Sequence, residues 1–273
     1  MREYVAKAII EYVKEYGRRP EVFTEWGTPL VGFADANSPY IVSLREHAVA
    51  SHCMPGDVLP GASIIVSYYV PFTRELAATN DAGSDDSVSA GGSCGAGGRL
   101  ASEQWARAYE ETNAMFGKLN EHIIGLLEDK GYRGAVSAEA SVFSTDTLTS
   151  DWSHRHIACA AGLGTFGVNN MLITKAGCCG RYNSIITNLD VEPDDPLQEE
   201  LCIYTRNGGC GLCVKNCPAG ALSLRGSAEF DRQACYAVCS ENAAVYNYLG
   251  SSYSGAGSEV CGKCVTASPC AFR

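Results

Sequence analysis

Nine of the fourteen cysteines lie between Cys202 and Cys270. Thiolate sulfur is the soft ligand that clustered iron prefers. The stretch CGLCVKNCP, Cys210 to Pro218, carries C-x2-C-x3-C-P, the later part of a bacterial ferredoxin motif. CGKC supplies a second close pair, Cys261 and Cys264, and Cys202, Cys235 and Cys270 supply single thiolates around them. Eight such groups can complete two four-cysteine sites. Two structural zinc sites would use the same count, but the Cys-Pro ending is a cluster signature rather than a zinc one.

The first cysteine of the ferredoxin motif is missing; Asn207 stands there. The loop CIYTRNGGC, loosened by Gly208 and Gly209, is able to fold back, so the ligand is expected at Cys202. A three-cysteine cluster with an open iron, or with Asn207 as an oxygen ligand, is the alternative. In two-cluster ferredoxins the last cysteine of the run serves the other cluster. The expected sets are therefore Cys202, Cys210, Cys213 and Cys270 for one [4Fe-4S] cluster, and Cys217, Cys235, Cys261 and Cys264 for the other. Cys239 could replace Cys235.

The elements that must position these thiols are legible in outline. The chain has 273 residues, 46% hydrophobic and 19% charged, with a formal net charge of -10. That is a globular composition, and its charge works against non-specific attraction to nucleic acid or anionic membrane. The N-terminus has helical periodicity rather than a signal peptide, and no apolar run suits a bilayer span, so a cytoplasmic location is expected. Fourteen cysteines in that compartment point to metal rather than disulfides.

EVFTEWGTPLVGFAD suggests a strand followed by a loop, and LPGASIIVSYYVPF a buried strand. Residues 79–99 form a long Gly/Ser/Asp-rich loop. A long amphipathic helix follows, then a strand at AVSAEASVF, a helix at SHRHIACAAG, and strands at MLITKAG and RYNSIITNLDVEP. This predicts an α/β domain over 1–195 and a cysteine-rich domain over 196–273, joined by the acidic linker EPDDPLQEE. Gly162, Gly164 and Gly167 spell G-x-G-x-x-G, but a helix before them and an extended segment after them contradict a dinucleotide turn. These glycines are expected to end a helix and to let backbone approach a planar ligand or another chain segment.

DWSHRHIACAAGLGTFGVNNMLIT, GCCGRYNSIITNLDVEPDD, CGLCVKNCPAGAL and CGKCVTASPC, in that order, resemble the epoxyqueuosine reductase family and its shorter relatives. LPGASIIVSYYVP fits the N-terminal part of that family. The resemblance implies a cobalamin-binding α/β domain, related to that of reductive dehalogenases, followed by a ferredoxin-like domain with two [4Fe-4S] clusters. It implies an oxidoreductase in which an external low-potential donor reduces the clusters, electrons pass to cobalamin, and a small-molecule or protein-bound substrate is reduced. It implies a carboxylate proton donor, for which Asp146 and Asp151 are the candidates; the plainer role for Asp151 is a helix cap. It places Arg155, the three glycines, Tyr182, Asn183 and Ser184 around the cofactor.

The chain departs from the long family form in three ways. The usual lysine after the last glycine is missing, the first cluster cysteine is displaced, and no C-terminal helical region follows. Together with the net charge this disfavours tRNA as a partner and leaves the substrate unknown. A two-cluster electron carrier serving a partner corrinoid protein, without a substrate of its own, is the competing expectation.

Overall fold

The fold is that of a computed structural model describing residues 1–81, 98–137, 143–144, 146–250 and 255–273. Most of the glycine-rich stretch at 79–99, including Cys94, lies outside the described residues, as does the middle of the strand expected at 135–143.

The chain opens with helix α1 (Arg2–Tyr16) and strand β1 (Leu30–Asp35), then three short helices, α2 (Pro39–Val42), α3 (Leu44–His47) and α4 (Pro55–Val58). Strand β2 (Ile64–Pro71) leads to α5 (Arg74–Asp81) and the long α6 (Glu103–Glu128). Short strands β3 (Gly134–Ala135), β4 (Phe143–Ser144) and β5 (Thr149–Ser150) precede α7 (His154–Ala160). The hairpin β6 (Gly164–Phe166) and β7 (Leu172–Thr174) leads to β8 (Gly180–Thr187). Helices α8 (Ile203–Asn207), α9 (Leu212–Lys215), α10 (Arg232–Val245) and α11 (Lys263–Thr266) belong to the cysteine-rich stretch.

The main sheet has the order β1-β2-β8-β3, and every pairing in it is antiparallel. The mixture of helix and sheet matches the sequence expectation. Strand β2 is buried along its whole length, which explains the unbroken run IIVSYYVP. Its Ile64, Val66, Tyr68 and Val70 pack with Val5, Ile9 and Val13 of α1 and with Met115, Leu119, Ile123 and Leu127 of α6. The four-residue spacing on α6 is one helical stripe. Ile65 and Tyr69 face the opposite core with Trp152, Ile157, Leu172 and Tyr182. The segment expected as a strand then a loop runs the other way. The Phe23 and Thr24 backbone N–H groups donate to the Glu111 carboxylate and Trp26 Nε1 to Thr112, so residues before β1 spend their polar groups on α6.

A third core joins the two halves of the chain. Phe72, Ala77 and Trp105 pack there with Cys202, Cys213, Val260 and Val265. The acidic linker is also pinned rather than loose. The Asp194 carboxylate accepts from the Phe33 N–H at 2.9 Å and from Arg2, and the Asp194 N–H donates to the Phe33 carbonyl at 2.6 Å.

Candidate functional site

Cys202 caps α8, Cys210 and Cys213 flank the start of α9, and Cys270 lies in the turn after α11. All four line one narrow cavity of about 20 Å³, with Asn169 and Ser268. Asn207 is exposed and does not line it; its Oδ1 accepts from the Gly209 N–H at 2.9 Å, closing its own turn. The Cys270 sulfur sits 3.8 Å from buried Cys178 and 3.2 Å from Ser268 Oγ. Hydrogen bonding from Cys178 holds the Cys270 thiol down, at about 6, and pushes Cys178 up. The same thiol pair is set by backbone pairing, with the Cys178 N–H donating to the Cys270 carbonyl at 2.8 Å.

Cys217, Cys235, Cys261 and Cys264 line a second cavity of about 300 Å³, and Cys239 joins them. Cys235 and Cys239 stand one turn apart on α10, which is why both reach it. Hydrogen bonding from Cys239 favours the thiolate of Cys235, about 7, and pushes Cys239 up. Both thiols face the cavity, so Cys235 and Cys239 stay alternative fourth ligands of this site. Asn169 lines both thiol cavities, is buried, and donates to the Cys264 carbonyl at 3.4 Å. Among the described residues no three His, Cys, Asp or Glu side chains converge as for a single ion.

A larger cavity of about 440 Å³ adjoins the second thiol site. The two share Arg155, Asn170, Met171, Gly180, Arg181, Phe230, Cys235 and Cys239 as walls. Trp152, Tyr182, Phe230 and Tyr236 give it aromatic surface, and Arg155, Arg181 and Arg232 give it positive charge. Arg155 is held by the Asn170 carbonyl and Met171 Sδ. Asn170 has φ +59°, a left-handed conformation that Asn tolerates better than most residues and that turns its carbonyl onto the guanidinium. Asn169, Asn170, Trp152 and Arg181 lie inside the stretches that carry the family resemblance, but no spacing or residue type there assigned them a role.

The other expected residues fall in different places. Tyr182 lines the large cavity, and its hydroxyl donates to the Leu172 carbonyl at 2.6 Å. Ser184 is an internal post: it accepts from Trp152 Nε1 at 3.0 Å and faces His154 Nδ1 at 2.9 Å. Asn183 accepts from the Ser184 N–H and does not line the cavity. Gly162, Gly164 and Gly167 do not line it either. A Cβ at Gly162 would strike the Asp195 carbonyl oxygen, and one at Gly164 the Ile173 carbonyl oxygen. They let chain segments meet.

Asp146 is exposed at the tip of the β4–β5 hairpin, whose Phe143, Leu148, Thr149 and Ser150 line the cavity. The Asp151 carboxylate accepts from Ser51 Oγ at 2.5 Å, and its carbonyl from the Cys53 N–H at 2.8 Å. Asp151 therefore anchors the 51–53 segment; the residue at the N-cap of α7 is Ser153.

Burial pushes His154 down to about 4, with Arg181 adding to it. Trp152 donates to Ser184 Oγ, so the Ser184 proton is available to His154 Nδ1, and the imidazole is neutral. Below its ordinary value of 6.5 the unfolded chain takes up a proton that the folded chain refuses. Stability is thus full above pH 6.5, falls as pH drops through 6.5, and levels near 4. His154 should contribute about 2–3 kcal/mol across that window. Urea unfolding of the wild type and His154→Gln at pH 7 and 4.5 should show a shallower loss in the variant; equal losses would refute the assignment.

No family model matches the chain. The molecule is a mixed helix–sheet body carrying a cysteine-rich segment with two thiol-lined cavities. In sequence and in fold it resembles the epoxyqueuosine reductases. It is 32% identical to epoxyqueuosine reductase of Bacillus cereus over 94 residues, 34% of this chain and 23% of that one. It is 34% identical to the Staphylococcus aureus enzyme over 84 residues, 30% of this chain and 20% of that one. A selenomethionine-labelled epoxyqueuosine reductase superposes with TM-score 0.55 at 19% identity, covering 98% of this chain and 65% of that one. A second, with TM-score 0.53, 20% identity and the same coverage, holds an epoxyqueuosine-modified tRNA-Tyr stem loop. The aligned stretches thus span about a quarter or less of these two curated relatives, and the chain spans just under two thirds of the solved ones.

These comparisons correct one expectation. The net charge and the missing helical region disfavoured tRNA, yet a solved relative with this fold holds a tRNA stem loop. Net charge is a sum over the whole surface. It does not describe a cavity lined by Arg155, Arg181 and Arg232. Among the described residues no helix is long and apolar enough to cross a membrane.

Proposed function

We propose that the protein is an iron–sulfur oxidoreductase of the epoxyqueuosine reductase type, reducing a substrate bound in the large cavity. The observation that carries this reading is the wall shared by that cavity and the second thiol site, which includes Arg155, Met171, Arg181, Phe230, Cys235 and Cys239. A pure electron carrier has no use for such a cavity.

Two four-thiolate sets suit two [4Fe-4S] clusters, which supply one-electron transfer when bound. At the first site the Cys270 thiol must turn from Cys178 into the narrow cavity. Asn169, packed between the sites, holds their separation. The large cavity suits an edge of a corrin, with Tyr182 and Met171 as apolar surface and Arg155 for an anionic group; cobalamin supplies low-potential cobalt chemistry when bound.

The class of substrate to test first is an epoxide on a tRNA nucleoside, as the names of the relatives indicate. Reducing an epoxide to an alkene takes two electrons and two protons and releases water. Asp146 is the proposed proton donor, since its hairpin forms one wall of the cavity.

Anaerobic titration with cobalamin is the decisive measurement. The wild type should retain it with a base-off spectrum, and Arg155→Ala should weaken retention about tenfold or more, the loss of a buried charged contact. Absence of retention and of any spectral change would favour the carrier. With an epoxyqueuosine-bearing stem loop, Asp146→Asn should keep binding and lose turnover about a hundredfold; unchanged turnover would reject the role of Asp146.

A further inference from the structure

We propose that the groove between α5, α9 and the turn after α11 docks a small acidic electron-carrier protein, which reduces the first thiol site. This rests on reading Cys202, Cys210, Cys213 and Cys270 as a cluster site. The groove encloses about 450 Å³ and is lined by Arg74, Ala77, Leu212, Ser268, Pro269 and Phe272, among others. Ser268 also lines the first thiol cavity, with its Oγ 3.2 Å from the Cys270 sulfur. Groove and site therefore share a wall at Ser268. Leu212, between Cys210 and Cys213, is 40% exposed, an apolar contact on top of the cysteine loop.

The kind of partner follows from charge. In a chain of net charge -10, residues 201–228 contain Arg206, Lys215 and Arg225 and neither Asp nor Glu. Residues 260–273 contain Lys263 and Arg273 and again no acidic side chain. Arg74 adds a cation beside the groove, its guanidinium 4.7 Å over the Phe272 ring. Arg206 and Lys215 are exposed; Arg225 is paired with Glu229 at 2.8 Å and is discounted.

The nearby carboxylates offset part of this. Asp81 lines the groove but interacts with buried Lys263. Glu200 is turned onto the Cys202 N–H at 2.8 Å. Glu75 is exposed beside Arg74 and subtracts one charge. With Lys263 balanced by Asp81, the exposed cations Arg74, Arg206 and Lys215 outnumber Glu75 and Glu200, so this part of an acidic molecule carries a small positive excess. Repulsion elsewhere and attraction here orient an acidic carrier with its redox group toward Cys270. In the step, one electron leaves the reduced carrier and enters the oxidised site; no bond forms or breaks.

The probe is an acidic plant-type ferredoxin, reduced photochemically and mixed anaerobically with the iron-loaded protein in a stopped-flow cell. The rate should fall about tenfold between about 50 and about 300 mM salt. Arg74→Glu with Lys215→Glu should slow it about tenfold or more at low salt, and Arg74→Gln with Lys215→Gln should fall between. Reduction by a neutral photoreduced deazaflavin should not change in either variant. A ferredoxin rate indifferent to both charge and salt overturns the proposal, as does equal slowing with the deazaflavin. A wild-type chain that takes up no iron overturns the cluster reading and the proposal with it.

Discussion

Cys202→Ala lowers the iron bound by anaerobically prepared protein from about eight to about four atoms per chain, while Asn207→Ala leaves it at about eight. The difference follows from where the two side chains point. Cys202 lines the first thiol cavity with Cys210, Cys213 and Cys270, although it lies outside the contiguous motif. Its backbone is fixed from the linker side, where the Glu200 carboxylate accepts its N–H and the Leu201 N–H donates to Thr165 Oγ at 2.9 Å. Asn207 is exposed and spends its side-chain oxygen on Gly209. The second site shares no proposed ligand with the first, so its iron should survive. Iron and sulfide analysis with EPR of the reduced protein checks both halves. Full iron in the Cys202 variant, or loss in the Asn207 variant, would move the fourth ligand back to position 207. Stoichiometric zinc in place of iron would overturn the cluster reading altogether.

Gly164→Ala destabilises the protein by about 2–3 kcal/mol, and Gly167→Ala by less. A cofactor-binding glycine would show its loss mainly in ligand affinity. Gly164 shows it in folding, because the added Cβ would run into the Ile173 carbonyl oxygen across the β6–β7 hairpin. Backbone there has little room to retreat, since Leu172 and Ile173 are fully buried. At Gly167 the new Cβ would meet side-chain ends, Asn169 Oδ1 at 2.8 Å and Ile173 Cδ1 at 2.9 Å. Side chains can turn aside at smaller cost. Urea unfolding of the two variants gives the comparison. A Gly164 variant as stable as the wild type but unable to bind cobalamin would restore the glycine turn as a ligand cradle.

The contrast between these two experiments marks how far the sequence could be read. The grouping of the thiols was legible because short spacings bring two sulfur atoms to one place, and each expected set lines one cavity. The buried strand IIVSYYVP and the four-residue stripe of α6 were legible for a similar reason: burial on two faces or one leaves a periodic trace. The glycine turn showed where backbone must pass closely, but not what passes. Its neighbours Asp195 and Ile173 are brought there by the linker and the hairpin.

Local sequence thus marked the thiols and the two groupings in which they line separate cavities. Only the tertiary structure decided what those sites adjoin. Arg155, Arg181, Arg232 and Trp152 come from separated elements and meet around one cavity because the antiparallel sheet and α10 place them there. That convergence has no spacing in the sequence. It also explains why net charge is a poor argument against tRNA: charge summed along a chain carries no record of which surface each residue reaches.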